Sequence, residues 1–187
     1  MILNLLIAGF GGQGVLFMGK AAAETAMLTG KEVSWLPSYG PEMRGGTANC
    51  SVCIDDKPIS CPLITEPETL AVLNGPSFDK FIGAVKPGGR AFIDSSLIQK
   101  KTERADIAAF YIPAATLAEE SGMKGLGNIV MLGAIAKETG FAPLETLEEA
   151  IRAVVPASKS TLIDANIRAL HLGYGYGGWS WKPSSPR

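Results

Sequence analysis

Charge is scarce in this chain: Asp, Glu, Lys and Arg make up 19% of its 187 residues, against roughly 25% in an ordinary soluble domain. The deficit points to surface that is buried against something else. A net charge of −1 leaves no basic footprint for nucleic acid. There is one histidine, His171, which removes most zinc sites and Ser-His-Asp chemistry from consideration. It falls near the end of the last predicted helix and reads as a structural cation at the dipole's negative end. The three cysteines, Cys50, Cys53 and Cys61, are spaced C-x2-C-x7-C. A cluster would need a fourth ligand, and Cys50 and Cys53 lie in an apparent strand, 47–54, where residues three apart point to opposite faces. They read as buried reduced thiols, with no metal. Long apolar runs are also missing: the longest interior one, near 129–136, is far below the roughly 18 residues of a membrane span. The N-terminus has no positive segment, and its apolar stretch opens directly into a turn, so it reads as the first strand of a cytoplasmic protein.

What is present begins at that turn. The run Ile2-Leu3-Asn4-Leu5-Leu6-Ile7-Ala8 leads into Gly9-Phe10-Gly11-Gly12-Gln13-Gly14, and Gly9, Gly11 and Gly14 satisfy the G-x-G-x-x-G fingerprint between a strand and a helix. The helix 15–28 is rich in helix formers, with Gly30 as its stop. A second strand follows near 31–36. A dinucleotide site calls for an acidic residue at the carboxyl end of that strand, to hold a ribose hydroxyl. The residues there are Trp35-Leu36-Pro37-Ser38-Tyr39, and Glu32 stands at the wrong end. A stand-alone nucleotide-binding oxidoreductase is therefore disfavoured. The glycines instead read as a turn that lets backbone approach a phosphate or a partner protein.

Further strands are expected at 47–54, 68–74, 91–93 and 107–112, with a short helix carrying Phe78, Phe81, Ile82 and Val85 on one face. Asp55-Asp56-Lys57-Pro58 is a turn composition. The rest is helical. Asn128 is placed as the N-cap of helix 129–139, with Gly140 as its stop. Pro143 opens the next helix, which buries Leu147, Ala150, Ile151 and Val154 and leaves Glu145, Glu148, Glu149 and Arg152 to solvent. The last helix spans about 158–172. The fold class is therefore α/β: a Rossmann-like, mostly parallel open sheet with helices on both faces, one domain over 1–172 with a helical C-terminal part. Residues 173–187 form a tail of glycines and aromatics, Tyr174, Tyr176, Trp179 and Trp181 among them. Its glycine density argues against a helix, and its aromatics point to docking on a partner subunit.

Between the second and third strands lies the loop Ser38-Tyr39-Gly40-Pro41-Glu42-Met43-Arg44-Gly45-Gly46. Strand ends in an open α/β sheet face the ligand crevice, so this loop is expected beside the 9–14 turn, on adjacent strands of one βαβ unit. Glu42 and Arg44 either pair within the loop, or Arg44 uses its donor fork to read a carboxylate or phosphate from a substrate or neighbouring subunit. The expected crevice residues are Gly9, Gly11, Gly12, Gln13, Gly14, Ser38, Tyr39, Gly40, Pro41, Glu42, Arg44, Gly45 and Asn128, with no catalytic residue and no metal ligand.

The sequence Gly-Phe-Gly-Gly-Gln-Gly-Val at 9–15, followed by Ser-Tyr-Gly-Pro-Glu-Met-Arg-Gly-Gly at 38–46, resembles the gamma subunit of 2-oxoacid:ferredoxin oxidoreductases, the 2-oxoglutarate type most of all. The resemblance runs from residue 1 to about 172, through Lys86-Pro87-Gly88-Gly89 and Asn128-Ile129-Val130-Met131-Leu132-Gly133-Ala134. It implies a complex that oxidatively decarboxylates a 2-oxoacid, passes electrons to ferredoxin and places the acyl group on coenzyme A. Thiamine diphosphate then lies between alpha and beta subunits, iron–sulfur clusters on beta or a ferredoxin-like delta subunit, and no cofactor on this chain alone. The small subunit of an indolepyruvate-type enzyme is the alternative within the same family. No membrane or nucleic-acid partner is implied.

Overall fold

The computed structural model describes residues 2–38 and 47–178. Six strands, β1 (Leu3–Phe10), β2 (Glu32–Ser38), β3 (Thr47–Asp55), β4 (Thr69–Val72), β5 (Arg90–Asp94) and β6 (Ala108–Ile112), form one sheet in the order β2-β3-β1-β4-β5-β6. The half β1-β4-β5-β6 is parallel. The other half is antiparallel, because β3 runs against both β1 and β2.

Strand alternation divides the core in two. Leu5 and Ile7 of β1, Cys50 and Val52 of β3, Phe92 of β5 and Phe110 of β6 face one layer of helices. That layer holds α1 (Val15–Leu28), α3 (Ala114–Glu120), α4 (Gly127–Thr139), α5 (Leu144–Val154) and α6 (Ile163–Gly175). Leu6, Ala8, Cys53, Val72 and Ile93 face the other side, where they pack against Phe78 of α2 (Gly75–Phe81) and Ile64 of the preceding loop. Helices thus cover both faces, but unevenly. The N-terminal run is apolar at nearly every position because β1 is covered on both sides, as central parallel strands are. Fully burying each Leu, Ile or Phe contributes about 1.5–3 kcal/mol.

Three expectations change. First, β2 is not the neighbour of β1; antiparallel β3 lies between them. The βαβ reading assumed sequential strands to be adjacent, but the chain doubles back to form a β2-β3 ribbon before joining β1. Second, Asn128 does not cap α4. Leu126 occupies the cap position, and Asn128 is the second residue inside the helix. Third, glycine density does not stop the last helix: α6 continues through Gly173 and Gly175. A Cβ on Gly173 would lie 2.7 Å from the carbonyl carbon of Val130 and closer still to its oxygen. Gly173 therefore lets α6 rest directly on the backbone of α4, and this tertiary contact offsets the poor helix propensity of glycine. His171, two residues earlier, links α6 to α5 through Nε2 to Glu148 Oε1 at 2.6 Å. That takes Glu148 out of the purely solvated set.

Candidate functional site: the carboxyl edge around the glycine turn

The turn leaving β1 folds back onto the neighbouring parallel strand. Oε1 of Gln13 accepts the Phe10 N–H at 2.6 Å and the Asn74 side-chain N–H at 3.4 Å. Its Nε2 donates to the Leu73 carbonyl at 2.8 Å. Asn74 is in turn the N-cap of α2, its Oδ1 accepting the Ser77 N–H at 2.8 Å. Gly14 caps α1 with φ 74, a conformation that glycine adopts without a Cβ penalty. Where its Cβ would be, the amide of Asn128 sits against it, donating from Nδ2 to the Gly14 carbonyl at 3.1 Å. The glycine turn is therefore pinned on one side by β4 and on the other by α4.

The ribose test also shifts. In the dinucleotide-binding order 3-2-1-4-5-6 the ribose acid ends the strand on the side of β1 away from β4, and here that place is taken by antiparallel β3, which brings its beginning, not its end, to this edge. On the β4 side of the turn stands Asn74, its side chain committed to the cap and to Gln13. Glu32 lies at the start of β2, paired with Asp55 and away from the edge.

One strand further on, Asp94 ends β5 and is only 2% exposed. It lines a cavity of about 180 Å³ with Gly12, Gln13, Leu73, Leu97 and Asn128. Burial pushes its carboxyl above the ordinary carboxylate range, opposed by the Ser96 N–H, which donates to it at 3.0 Å. Asp94 is a site residue that the sequence pattern around strand 91–93 does not announce. Nothing local signals that this end meets the glycine turn. The crevice is thus lined by carbonyl and carboxyl acceptors as well as by turn backbone.

Among the expected site residues, the structure brings together Gly12, Gln13, Gly14 and Asn128, with Gly9 and Gly11 in the same strand–turn unit. Ser38 is exposed and stands apart. It emerges at the same edge, since Phe10 pairs with Thr47 and Ser38 with Asn49, but two strand spacings away, about 10 Å. Ser38 lines a different groove, with Leu36, Asn49, Ser51 and Leu63. Tyr39, Gly40, Pro41, Glu42, Arg44 and Gly45 lie outside the described residues.

Cys50 and Cys53 point to opposite faces of β3, one into each half of the core, so they cannot share an ion. Burial pushes the Cys50 thiol up to about 12, partly offset by the neighbouring Trp35 indole. Cys53 is also raised by burial, and Cys61 is exposed. Among the described residues no group of three His, Cys, Asp or Glu side chains is placed to hold a metal. No described helix is long and apolar enough to cross a membrane.

Fold and site together define a Rossmann-like α/β domain in which the glycine turn is held by Gln13 and Asn128 and, among the described residues, no acid stands at the end of the second strand. Residues 4–176 match the family described as pyruvate ferredoxin/flavodoxin oxidoreductase, and the chain belongs to that family. It is similar to ketoisovalerate oxidoreductase subunit VorA of Methanothermobacter marburgensis, 38% identical over 169 residues. That match covers 89% of this chain and 35% of VorA, so the chain spans about a third of that relative's length. It is 35% identical over 174 residues to 2-oxoglutarate synthase subunit KorC of Methanocaldococcus jannaschii, with 91% of each covered. Among solved structures it is similar to the keto/oxoacid ferredoxin oxidoreductase gamma subunit from Geobacter sulfurreducens PCA, with TM-score 0.80 and 29% identity over 92% of this chain and 96% of that one.

Proposed function

We propose that this chain is the gamma subunit of a cytoplasmic 2-oxoacid:ferredoxin oxidoreductase, of the 2-oxoglutarate type, and that it contributes packing surface and no chemistry of its own. The observation that carries this is the state of the glycine turn. The Gln13 side chain makes its hydrogen bonds within the chain at both ends of its amide, while the rim around the turn presents apolar surface. Phe10, Leu97 and Leu162 are exposed there at 37%, 51% and 46%. Large apolar side chains around a turn whose glutamine is already committed within the chain fit a protein interface better than a nucleotide cradle.

In this reading the carboxyl edge packs on the alpha and beta subunits, beside a delta subunit where the complex has one. Together with the 38–46 loop it walls the path of coenzyme A or substrate. Arg44 supplies a guanidinium toward a partner carboxylate or a coenzyme A phosphate, and the part of the aromatic tail beyond α6 docks on a partner subunit. Coenzyme A is the acyl acceptor and ferredoxin the electron acceptor. Thiamine diphosphate and the iron–sulfur clusters belong to the partner subunits. The described residues of this chain do not fit an iron–sulfur cluster, because the two strand thiols face apart and no group of three candidate ligands comes together among them. The relatives' names favour 2-oxoglutarate or ketoisovalerate as substrate; an indolepyruvate enzyme is the competing assignment.

Two measurements test this. Titration calorimetry of the isolated chain with NADH and NADPH is expected to show no binding, and micromolar affinity for either would overturn the non-nucleotide reading. Reconstitution with the co-encoded alpha and beta subunits is expected to give coenzyme A-dependent ferredoxin reduction with 2-oxoglutarate in preference to pyruvate, ketoisovalerate or indolepyruvate. A complex equally active without this chain would refute the gamma-subunit assignment.

A further inference from the structure

We propose that the groove beside Ser38 is a binding site for a carboxylate carried on an apolar body, separate from the crevice at the glycine turn. The groove, of about 660 Å³, opens on the face of the sheet that carries Leu6 and Cys53. On that face α2 packs against β4 and β1, and the groove lies beside it, over β1, β3 and β2. Its volume is within the roughly 300–1,000 Å³ usual for small-molecule sites.

Strand register builds the floor. Ser51 of β3 pairs with Leu6 of β1 on one side and with Leu36 of β2 on the other. Directly opposed residues of antiparallel strands share a face, so a serine is set between two leucines. Ser51 is 6% exposed. Its hydroxyl has no hydrogen-bond partner among the described residues, yet it is not sealed from solvent as the side-chain oxygens of Asn128 and Asn166 are. The space it opens on is the groove it lines. Buried polar groups are normally bonded, so this hydroxyl is placed for something that enters. Water alone would satisfy it and leave the wall wet, where Leu36 and Leu63 are exposed at 40% and 62%. An apolar body covers them.

Lys80 sets the charge of the ligand. Its Nζ stands 5.2 Å from the centre of the Phe81 ring, and both residues are part of the wall. Among the described residues Lys80 makes no ion pair, and no Asp or Glu lines the groove. An ammonium or guanidinium ligand would meet a like charge, and a phosphate would bring about two negative charges to one cation. A carboxylate matches: it carries one charge, and its oxygens can accept both from the Ser51 hydroxyl and from the ammonium. The flexible lysine stem lets the ammonium close on it. This inference does not depend on the chain's place in an oxidoreductase complex.

The test is an NMR titration of the isotope-labelled full chain with three probes that share one hydrocarbon chain: hexanoate, hexan-1-ol and hexylamine. Hexanoate is expected to shift the backbone amide resonances of Asn49, Ser51 and Thr65 saturably, with the alcohol and the amine binding about two- to tenfold more weakly. Ser51→Ala removes the hydroxyl without breaking a hydrogen bond among the described residues and is expected to weaken hexanoate about two- to tenfold. Lys80→Gln removes an exposed charge and is expected to weaken hexanoate about two- to fivefold, with hexan-1-ol unchanged. Equal binding of the three probes would show an apolar patch without anion recognition. Absence of saturable shifts at these three amides would show that the groove holds only water, and shifts centred on Gly12 and Gln13 instead would put the carboxylate in the glycine-turn crevice. Each of these results overturns the proposal, as does unchanged hexanoate binding in either variant.

Discussion

Replacing Gly173 with alanine adds one methyl group at the crossing of α4 and α6, and the structure sets its cost. The new Cβ would lie 2.7 Å from the Val130 carbonyl carbon and 3.0 Å from its Cα. Ordinary carbon–carbon contact is about 3.5–4.0 Å, so the helices must separate by on the order of 1 Å at this point. The obstacle is backbone inside α4, with no side chain that can rotate away. Separation also loosens Ala169 and Leu170 of α6 from Ile129 and Val130 of α4, all of them fully buried. Overpacking costs about 1–3 kcal/mol, and the rigid obstacle places Gly173→Ala at the upper end, about 3 kcal/mol. For a domain of this size each kcal/mol lowers Tm by about 2–4 °C, which gives a drop of about 6–12 °C by thermal denaturation. Gly175 is the internal control: it belongs to the same helix, and a Cβ there meets nothing within 4 Å. Gly175→Ala is expected to be neutral or to stabilise by up to about 1 kcal/mol, through helix propensity and a less flexible unfolded chain. If Gly173→Ala were as mild as Gly175→Ala, direct backbone contact would not be what holds α6 on α4, and the reasoning would fail.

Asp94→Asn bears on the buried carboxyl. Its folded-state pKa lies above the ordinary 3.8 because burial disfavours the charged form. The stability contributed by the neutral carboxyl is therefore complete below about pH 3.8 and is lost as pH rises through the folded value. Urea midpoints are expected to show the variant gaining on the wild type between pH 4 and pH 7; a constant or opposite difference would refute the assignment. Gln13→Ala removes the hydrogen bonds to Phe10 and Leu73 and is expected to cost about 1–3 kcal/mol, measured by urea unfolding, chiefly because the partly buried Leu73 carbonyl loses its donor. Arg44→Ala is expected to weaken assembly or raise the coenzyme A concentration needed for half-maximal turnover in the reconstituted complex. Wild-type assembly and turnover at limiting coenzyme A would make the loop merely structural.

What the sequence determined by itself were features written within a short window. Alternation in 47–54 placed Cys50 and Cys53 on opposite faces of β3, as the two halves of the core show. The 3.6-residue period picked out Leu147, Ala150, Ile151 and Val154 as the buried face of α5. The glycine fingerprint marked the turn between β1 and α1, and paired motifs in two segments carried the family, because motif matching needs no knowledge of contacts. Tertiary structure alone decided the rest. Strand order depends on which hydrogen-bonding edges meet, so nothing local could show that β3 returns antiparallel to lie between β1 and β2. That pairing moved Ser38 away from the glycine turn and put the start of antiparallel β3 where a dinucleotide-binding sheet has the end of its second strand. Asn128 looked like a helix cap because Asn suits caps. Its partner, the Gly14 carbonyl, is 114 residues away, and only the packing of α4 against the turn brings them together. Gly173 read as a helix breaker because propensity counts the entropy of glycine locally, whereas here the missing Cβ is what allows two helix backbones to touch.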